Sequence, residues 1–156
     1  MTTTLSEVSD LFLSRVDDYT LTNIYNSSGS VAFNIYLEPW LLDSIIEFNE
    51  ICTQDLTYVP CSGLIEGYFS EDLTLENKII LSQLMVIAWL AKTIQNLTQI
   101  SNFITDRDFK TFSAAQNLSA KKDLYNAKRE EVSQILTNYG YRHNSWSNWQ
   151  NQNFGT

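Results

Sequence analysis

The sequence predicts a mainly α-helical protein: a bundle of about four to five helices with one β-hairpin and an extended C-terminal tail. Three observations predict this class. Most of the chain repeats apolar residues at the spacing of one helix face. One stretch, residues 54–74, has the alternation and turn residues of a hairpin, and residues 141–156 are too polar to build a core. The 156 residues suffice for one domain with a core, which we assign to residues 1–140.

The first helix is predicted over about residues 4–18. Thr3 or Thr4 is suited to cap it, and Glu7 falls in its first turn. Residues 20–30 are polar and rich in turn formers, so they are predicted to form a loop. The apolar residues of the helix share one face: Leu5, Val8, Leu11, Phe12 and Val16.

A second helical segment covers about residues 31–51 and contains Pro39. Proline is tolerated in the first turn of a helix and breaks its interior. We therefore expect a short helix to about Leu37 and a longer one from about Pro39. The longer helix carries a buried stripe at i, i+4, i+7 and i+11: Leu41, Ile45, Phe48 and Cys52.

Residues 54–74 are predicted to form the β-hairpin. Two runs with period-2 character, 56–59 and 64–69, flank a turn over residues 60–63 that contains Pro60 and Gly63. An isolated hairpin is marginally stable in water. It must therefore pack on the helices or on a neighbouring chain.

The third helix is predicted to start near Asp72 or Thr74 and to run to about Asn96. Between residues 79 and 91 only Ser82 and Gln83 are polar, so the helix must be covered on every side. It is a central core helix in one interpretation. In the other, one of its faces also forms a subunit interface.

The last helix is predicted from about Ala114 to Tyr139. Ser113 and Gln116 match a capping box at its start, and Gly140 follows as a stop signal. Its apolar stripe is Leu118, Tyr125, Val132 and Tyr139, widened by Leu124, Ile135 and Leu136. Its other face is predicted to be solvated and carries Lys121, Lys122, Lys128, Arg129, Glu130 and Glu131.

Residues 141–156 are predicted to extend beyond the core. The segment is rich in Asn, Gln and Ser, which favours disorder in the isolated chain. It also carries Trp146, Trp149 and Phe154, and tryptophan is enriched at the energetic centres of protein interfaces. Two interpretations stay open: a plain disordered tail, or an arm in which these three residues bind a partner.

The sequence offers no pattern for catalysis, a cofactor or a metal. Its single histidine, His143, lies in the polar tail, where no rigidly held base is expected. No zinc-binding spacing and no glycine-rich phosphate loop occur. The net charge of −8 argues against a surface that holds nucleic acid. We therefore expect a protein that is not an enzyme.

The sequence also predicts neither a signal peptide nor a membrane span. The most apolar run, residues 79–91, is shorter than the roughly 20 residues that a bilayer requires. Two cysteines are too few for a disulfide framework, and a reducing cytoplasm is the default compartment. Cys52 and Cys61 are expected to be free thiols, with a single bridge between them as the alternative.

Two segments resemble a known family. One is an apolar helix with the pattern V-I-x-W, here residues 86–89; the other is D-F-K-T-x-S-x-A-Q-N-L, here residues 108–118. A charged helix that closes on NYGYRH follows. These features resemble the small head–tail connector proteins (neck, adaptor or head-completion proteins) of tailed bacteriophages, including those of the crAss-like type. The likeness extends over roughly residues 5–140.

The resemblance implies a virion subunit that forms a ring, commonly of twelve copies, below the portal protein. Such a ring extends the DNA channel without binding DNA specifically, and it docks the next neck or tail protein. The family brings no catalytic residues. Phe109 and Phe112 are interpreted as anchors against the helix that contains Trp89, either within one subunit or across to the next. The rival hypothesis is a small cytoplasmic regulatory protein that binds a host factor or DNA.

Overall fold

The computed structural model describes residues 2–16, 18–103 and 110–143, with backbone only for 20, 100–103 and 110–115. Within these ranges the fold is mainly helical with one antiparallel hairpin, as predicted. The elements in chain order are α1 (Leu5–Leu13), α2 (Tyr19–Phe48), β1 (Tyr58–Val59), β2 (Tyr68–Phe69), α3 (Leu75–Phe103) and α4 (Lys110–His143).

Helix α1 begins where the sequence predicts and ends earlier. Thr4 is its N-cap residue, and the backbone N–H of Thr4 donates to the Glu7 carboxylate (3.4 Å). Its apolar residues Leu5, Val8 and Phe12 are fully buried. The helix therefore contributes one face to the core, as the periodicity predicted.

The prediction of a loop over residues 20–30 is wrong. This stretch is the first part of α2, which is interrupted at Gly29, where φ is 78° and ψ is 167°. Glycine adopts this positive φ without the steric cost that other residues pay. Leu21 is buried and Ile24 is half-buried against the core, so the packing of these two side chains offsets the weak helix propensity of the polar residues around them.

The predicted break at Pro39 is also wrong, because α2 continues through it to Phe48. Proline has no N–H, so the carbonyl of Ile35 loses its partner within the helix. Both residues lie on an exposed face, where water can supply the missing donor. The predicted buried stripe is confirmed within the helix, where Leu41 and Phe48 are fully buried and Ile45 is partly buried. Cys52, the fourth predicted residue, is partly buried but lies in the loop beyond the end of α2.

The hairpin is present and packs on its own chain. Tyr58 pairs with Phe69 and Val59 with Tyr68. On the other edge of β2 the N-terminal segment adds backbone bonds: Phe69 N–H donates to the Thr3 carbonyl (2.8 Å), and Leu5 N–H donates to the Gly67 carbonyl (2.9 Å). These bonds supply the support that a two-stranded hairpin lacks by itself.

Helix α3 is the central core helix. The Thr74 hydroxyl caps it by accepting from Asn77 N–H (3.3 Å), and the helix runs past Asn96 to Phe103. It packs against α1, α2 and α4, and every residue from 80 to 90 except Gln83 and Ala88 is buried. The helices of a single chain thus bury most of the apolar run of α3, which the sequence predicts to be apolar on every side.

The stretch Leu75–Gln99 of α3 is long and apolar enough, with a mean hydropathy of 1.2, to cross a membrane by length and composition. The core helix of a soluble protein meets the same two criteria, so this stretch is weak evidence for a membrane span.

Helix α4 is longer at both ends than predicted. It already includes Lys110, because none of residues 110–113 is a helix breaker, so Ser113 lies inside the helix and is not its cap. Gly140 lies inside it as well and does not stop it, since contacts of Tyr139, Arg142 and His143 hold the last turn. The prediction that the extended tail begins at residue 141 and includes His143 is therefore wrong, because residues 141–143 are helical. The stripe of residues spaced seven apart is confirmed, with Val132 and Tyr139 buried and Leu118 and Tyr125 half-buried; Leu124, predicted to widen it, is exposed.

Candidate interaction surface

Trp89, which the sequence placed at an anchor or a subunit interface, lies in the core of its own chain and is only 9% exposed. The Lys121 ammonium lies 5.4 Å from the centre of its ring, a cation–π contact between α3 and α4. Lys121 is therefore half-buried on the packed side of α4, where the sequence predicted a solvated face.

The side chains of the other predicted site residues lie outside the part of the chain that the structure describes. The backbone of Phe112 lies in the first turn of α4, while its side chain is outside the description. Phe109, Trp146, Trp149 and Phe154 lie outside the described residues. Their roles as loop anchor and partner-binding residues stay predictions.

The Glu38 carboxylate joins α2 to the hairpin. Its Oε1 atom accepts from the Tyr58 hydroxyl (2.9 Å) and from the Cys61 N–H (2.7 Å). Burial of the phenol raises the pKa of Tyr58 far above its usual value, and the hydrogen bond to the Glu38 carboxylate raises it further. The hydrogen bonds of this carboxylate thus fix the hairpin against α2.

A second carboxylate, Glu66, joins α1, α2 and the hairpin. It accepts from the Ser6 N–H and from Nδ2 of Asn34 (3.3 Å), and the same Asn34 nitrogen donates to the Ser6 hydroxyl (3.0 Å). Asn34 is almost fully buried, so its pairing offsets the cost of removing its amide from water. This network is a structural one.

Both cysteines are free thiols, as expected, and both are partly buried. Burial raises the pKa of the Cys52 thiol and of the Cys61 thiol, which keeps both sulfur atoms protonated and weakly nucleophilic. Cys61 Sγ accepts from the Gly67 N–H (3.2 Å) within the hairpin. Among the described residues no group of three His, Cys, Asp or Glu side chains could hold a metal ion.

The outer face of α2 carries a second apolar stripe. We call it the outer stripe, and it consists of Ile35, Pro39, Leu42 and Ile46 at i, i+4, i+7 and i+11. Helical spacing places it on a different face of the helix from the buried stripe. Ile35 is 46% exposed, Leu42 38% and Ile46 72%. Large apolar side chains aligned along an exposed helix face mark an interaction site more often than scattered ones do.

The turn of the hairpin exposes further apolar side chains. We call this surface the hairpin tip; it consists of Val59, Leu64, Ile65 and Tyr68, of which Leu64 is 90% exposed and Ile65 64%. Glu38 is one helical turn from both Ile35 and Leu42, and it holds the hairpin through Tyr58 and Cys61. The hairpin therefore stands beside the outer stripe.

The sequence contained the signal for the outer stripe. Its four residues repeat at helical spacing as regularly as the buried stripe does, and the assumed break at Pro39 divided them between two helices. In comparisons with protein-family models, curated protein sequences and solved structures, no match to this chain was found. The fold and this surface define a helical protein with exposed apolar faces.

Proposed function

We propose that this chain is a structural subunit of the neck of a tailed phage, a virion protein that forms a homo-oligomeric ring between the portal protein and the tail. The observation that carries the proposal is that one folded chain exposes two neighbouring apolar surfaces, the outer stripe and the hairpin tip. An isolated soluble protein gains nothing from either surface, whereas an assembling subunit can bury both against its neighbours.

The proposed ring is supported by the kind of contact that two different surfaces can make. A contact between two different surfaces of identical chains is heterologous, and it closes into a ring when the rotation between neighbours divides a full turn. The resemblance of residues 108–118 to connector proteins supports twelve copies. The net charge of −8 suits a channel through which DNA slides, because like charge disfavours binding of phosphates.

A non-catalytic role fits the use of the polar groups in the described part of the chain. The carboxylates of Glu38 and Glu66 bind backbone and side-chain donors that hold the hairpin and α1 in place. The two thiols are partly buried with raised pKa values. We propose that the protein binds the portal protein and the adjacent neck or tail protein and uses no cofactor.

The test is the mass of the purified chain by light scattering, alone and with the portal protein of the same phage. One chain has a mass of 18.0 kDa, so a ring of twelve adds about 216 kDa (twelve times 18.0 kDa). Leu42→Glu, in the outer stripe, is expected to reduce assembly. The matched control is Leu124→Glu, since Leu124 is also exposed (51%, against 38% for Leu42) but lies on α4.

A chain that stays monomeric or dimeric in the presence of the portal protein contradicts the ring. If that monomer also retards duplex DNA in a gel or retains a host protein, the rival function as a cytoplasmic regulatory protein takes its place. Equal loss of assembly in both variants would instead indicate that any added negative charge disrupts the ring, and the outer stripe would lose its role.

A further inference from the structure

The outer stripe is bounded on both sides by elements of its own chain. On one side is the hairpin, which Glu38 holds through the Tyr58 hydroxyl (2.9 Å) and the Cys61 N–H (2.7 Å). On the other side is α4, whose Arg129 pairs with Glu47 of α2 (2.6 Å). Helical spacing places the outer stripe between Glu38 and Glu47 on the exposed side of α2. A partner therefore meets an apolar surface with the hairpin along one side and α4 along the other.

Two carboxylates beside the outer stripe have no partner among the described residues. Asp43 and Glu50 lie next to Ile46, three residues before it and four after it, the second in the turn that follows α2. Both side chains are exposed, and neither makes an ion pair or a hydrogen bond within the described part of the chain. The Arg129 guanidinium does not neutralise them, because it pairs with Glu47.

An aromatic side chain lies on the same side of the outer stripe. Tyr36 precedes Asp43 by seven residues, so the two lie close to one line along α2. Its ring is 45% exposed and packs edge-on against Trp40, with ring centres 5.4 Å apart. A half-exposed aromatic ring attracts a cation, as a carboxylate does. We call Tyr36, Asp43 and Glu50 the acidic edge of the outer stripe.

The acidic edge discriminates between occupants by their charge. A second copy in a two-fold contact would bring the same carboxylates of both chains into one interface, where their charges repel. Lysine and arginine side chains instead pair with Asp43 and Glu50 while their aliphatic parts cover apolar surface. The surface is therefore complementary to a segment with an apolar face and basic residues beside it.

The shape of the outer stripe suits a helix. The eleven residue steps from Ile35 to Ile46 cover about 17 Å, or about three turns. An apolar stripe at helical spacing on one helix packs against the apolar face of another, and amphipathic helices are commonly recognised in this way. Tyr36 and Asp43 lie about 10 Å apart along the axis, which matches basic residues seven positions apart on a partner helix.

We propose that the outer stripe binds an amphipathic α-helix of another protein. The apolar face of that helix packs on Leu42 and Ile46, and its Lys or Arg side chains contact the acidic edge. The inference rests on the proposed function only in assigning the helix to the portal protein or to the adjacent neck or tail protein. It adds the chemistry of the docked segment, which is apolar and basic.

The probe is a fluorescein-labelled peptide of about 18 residues, with leucine on one helix face and lysine at all other positions. It is titrated with the full chain and followed by fluorescence anisotropy. We expect this peptide to bind, and its counterpart with glutamate in place of lysine not to bind. Asp43→Asn combined with Glu50→Gln is expected to raise the Kd at least about threefold. The matched control, Asp123→Asn combined with Glu130→Gln, removes two exposed charges seven residues apart from α4 and should leave the Kd nearly unchanged.

A photo-reactive version of the peptide locates the contact. It carries p-benzoylphenylalanine at the centre of its leucine face, and irradiation is expected to link it to the chain within residues 35–46. Leu42→Glu is expected to lower the yield of this link at least about tenfold, because it places a charge in the centre of the stripe. Leu124→Glu, on α4, is expected to leave the yield nearly unchanged.

Four results overturn the proposal: no binding of the lysine peptide, equal binding of both peptides, an equal rise in Kd for both pairs of charge variants, or a link outside residues 35–46. Self-association of the chain that Leu42→Glu abolishes would overturn it as well, by placing a second copy on the stripe.

The mass of the assembly with the portal protein separates this inference from the proposed function. If the inference fails and the mass still corresponds to a ring, the proposed function stands. If the lysine peptide binds as expected and no ring forms, the outer stripe still binds a basic helix, and the neck function fails.

Discussion

The hydroxyl of Tyr139 lies 3.0 Å from Oγ1 of Thr53, and the backbone N–H of Thr53 donates to the same hydroxyl oxygen (3.2 Å). These bonds tie the end of α4 to the loop that follows α2, although 86 residues separate the two in sequence. The Tyr139 ring also packs edge-on against Phe48, with ring centres 5.2 Å apart. The Tyr139 side chain therefore connects the end of α4 both to α2 and to the loop that follows α2.

Tyr139→Phe keeps the ring packing and removes the hydroxyl. We expect the free energy of unfolding to fall by about 0.5–1.5 kcal/mol, because water can reach Thr53 and replace part of what is lost. Urea denaturation followed by circular dichroism measures this change. Tyr141→Phe, at a residue that is 80% exposed, is the control and should change stability by less than about 0.5 kcal/mol. Equal effects of the two variants would show that the hydroxyl of Tyr139 contributes nothing.

Two glycines respond in opposite ways to the same substitution. A Cβ atom at Gly67 would overlap the Tyr58 hydroxyl and lie 3.1 Å from the Val59 carbonyl oxygen, so Gly67→Ala must displace the Tyr58 ring or the hairpin backbone. We expect it to destabilise the fold by about 1–3 kcal/mol. Gly140 lies within α4 and has open space around it, so Gly140→Ala should stabilise by about 0.5–1 kcal/mol.

Thermal unfolding of both glycine variants beside the unmodified chain measures the difference. A Gly67→Ala protein as stable as the unmodified chain would mean that Tyr58 moves aside freely. A destabilised Gly140→Ala protein would contradict the helical path of α4 through residue 140.

The parts of the fold that the sequence predicts are those in which one strong periodic signal decides the structure. The apolar run of α3 and the seven-residue spacing of Leu118, Tyr125, Val132 and Tyr139 each indicate a buried face without reference to any other element. The hairpin follows from turn residues between two short alternating runs. Its support by Thr3 and Leu5 could not be predicted, since those backbone bonds join segments about 65 residues apart.

The errors arise where local signals for a break oppose tertiary packing. Residues 20–30 are polar and turn-rich, yet burial of Leu21 makes them helical around the single positive φ of Gly29. Pro39 and Gly140 are residue types that usually interrupt or end a helix. At both positions the helix continues, because residues before and after them make contacts with the rest of the fold. The outer stripe was missed for the same reason, because a helix broken at Pro39 does not display it.

The stability of the fold should depend on pH in the alkaline range through Tyr58. Its pKa is raised in the folded protein by burial and by the Glu38 carboxylate, whereas in the unfolded chain it is about 10. The folded state therefore keeps a proton that the unfolded state releases. The contribution of Tyr58 to the free energy of unfolding is fully present below pH 10. It is lost as the pH rises above 10, by at most about 1.4 kcal/mol per pH unit.

Urea denaturation between pH 8 and pH 11 tests this, with Tyr58→Phe as the comparison. Other tyrosines and lysines titrate in both proteins, so the difference between the two pH profiles isolates Tyr58. The Tyr58→Phe protein is expected to lose stability less steeply above pH 10. Parallel profiles over the whole range would show that Tyr58 is not held protonated by the fold.

The ion pairs of Glu76 should contribute little to stability and should depend on salt. Its carboxylate contacts the Arg142 guanidinium and Nε2 of His143 (3.3 Å), and all three side chains are partly exposed. We expect Glu76→Gln to cost about 0.2–1 kcal/mol at low ionic strength and less in 1 M NaCl, because salt weakens the attraction between solvent-exposed charges. Denaturation at both salt concentrations measures the cost, with Glu130→Gln on the exposed face of α4 as the control. A cost that persists in 1 M NaCl would show that Glu76 holds the end of α4 by packing rather than by charge.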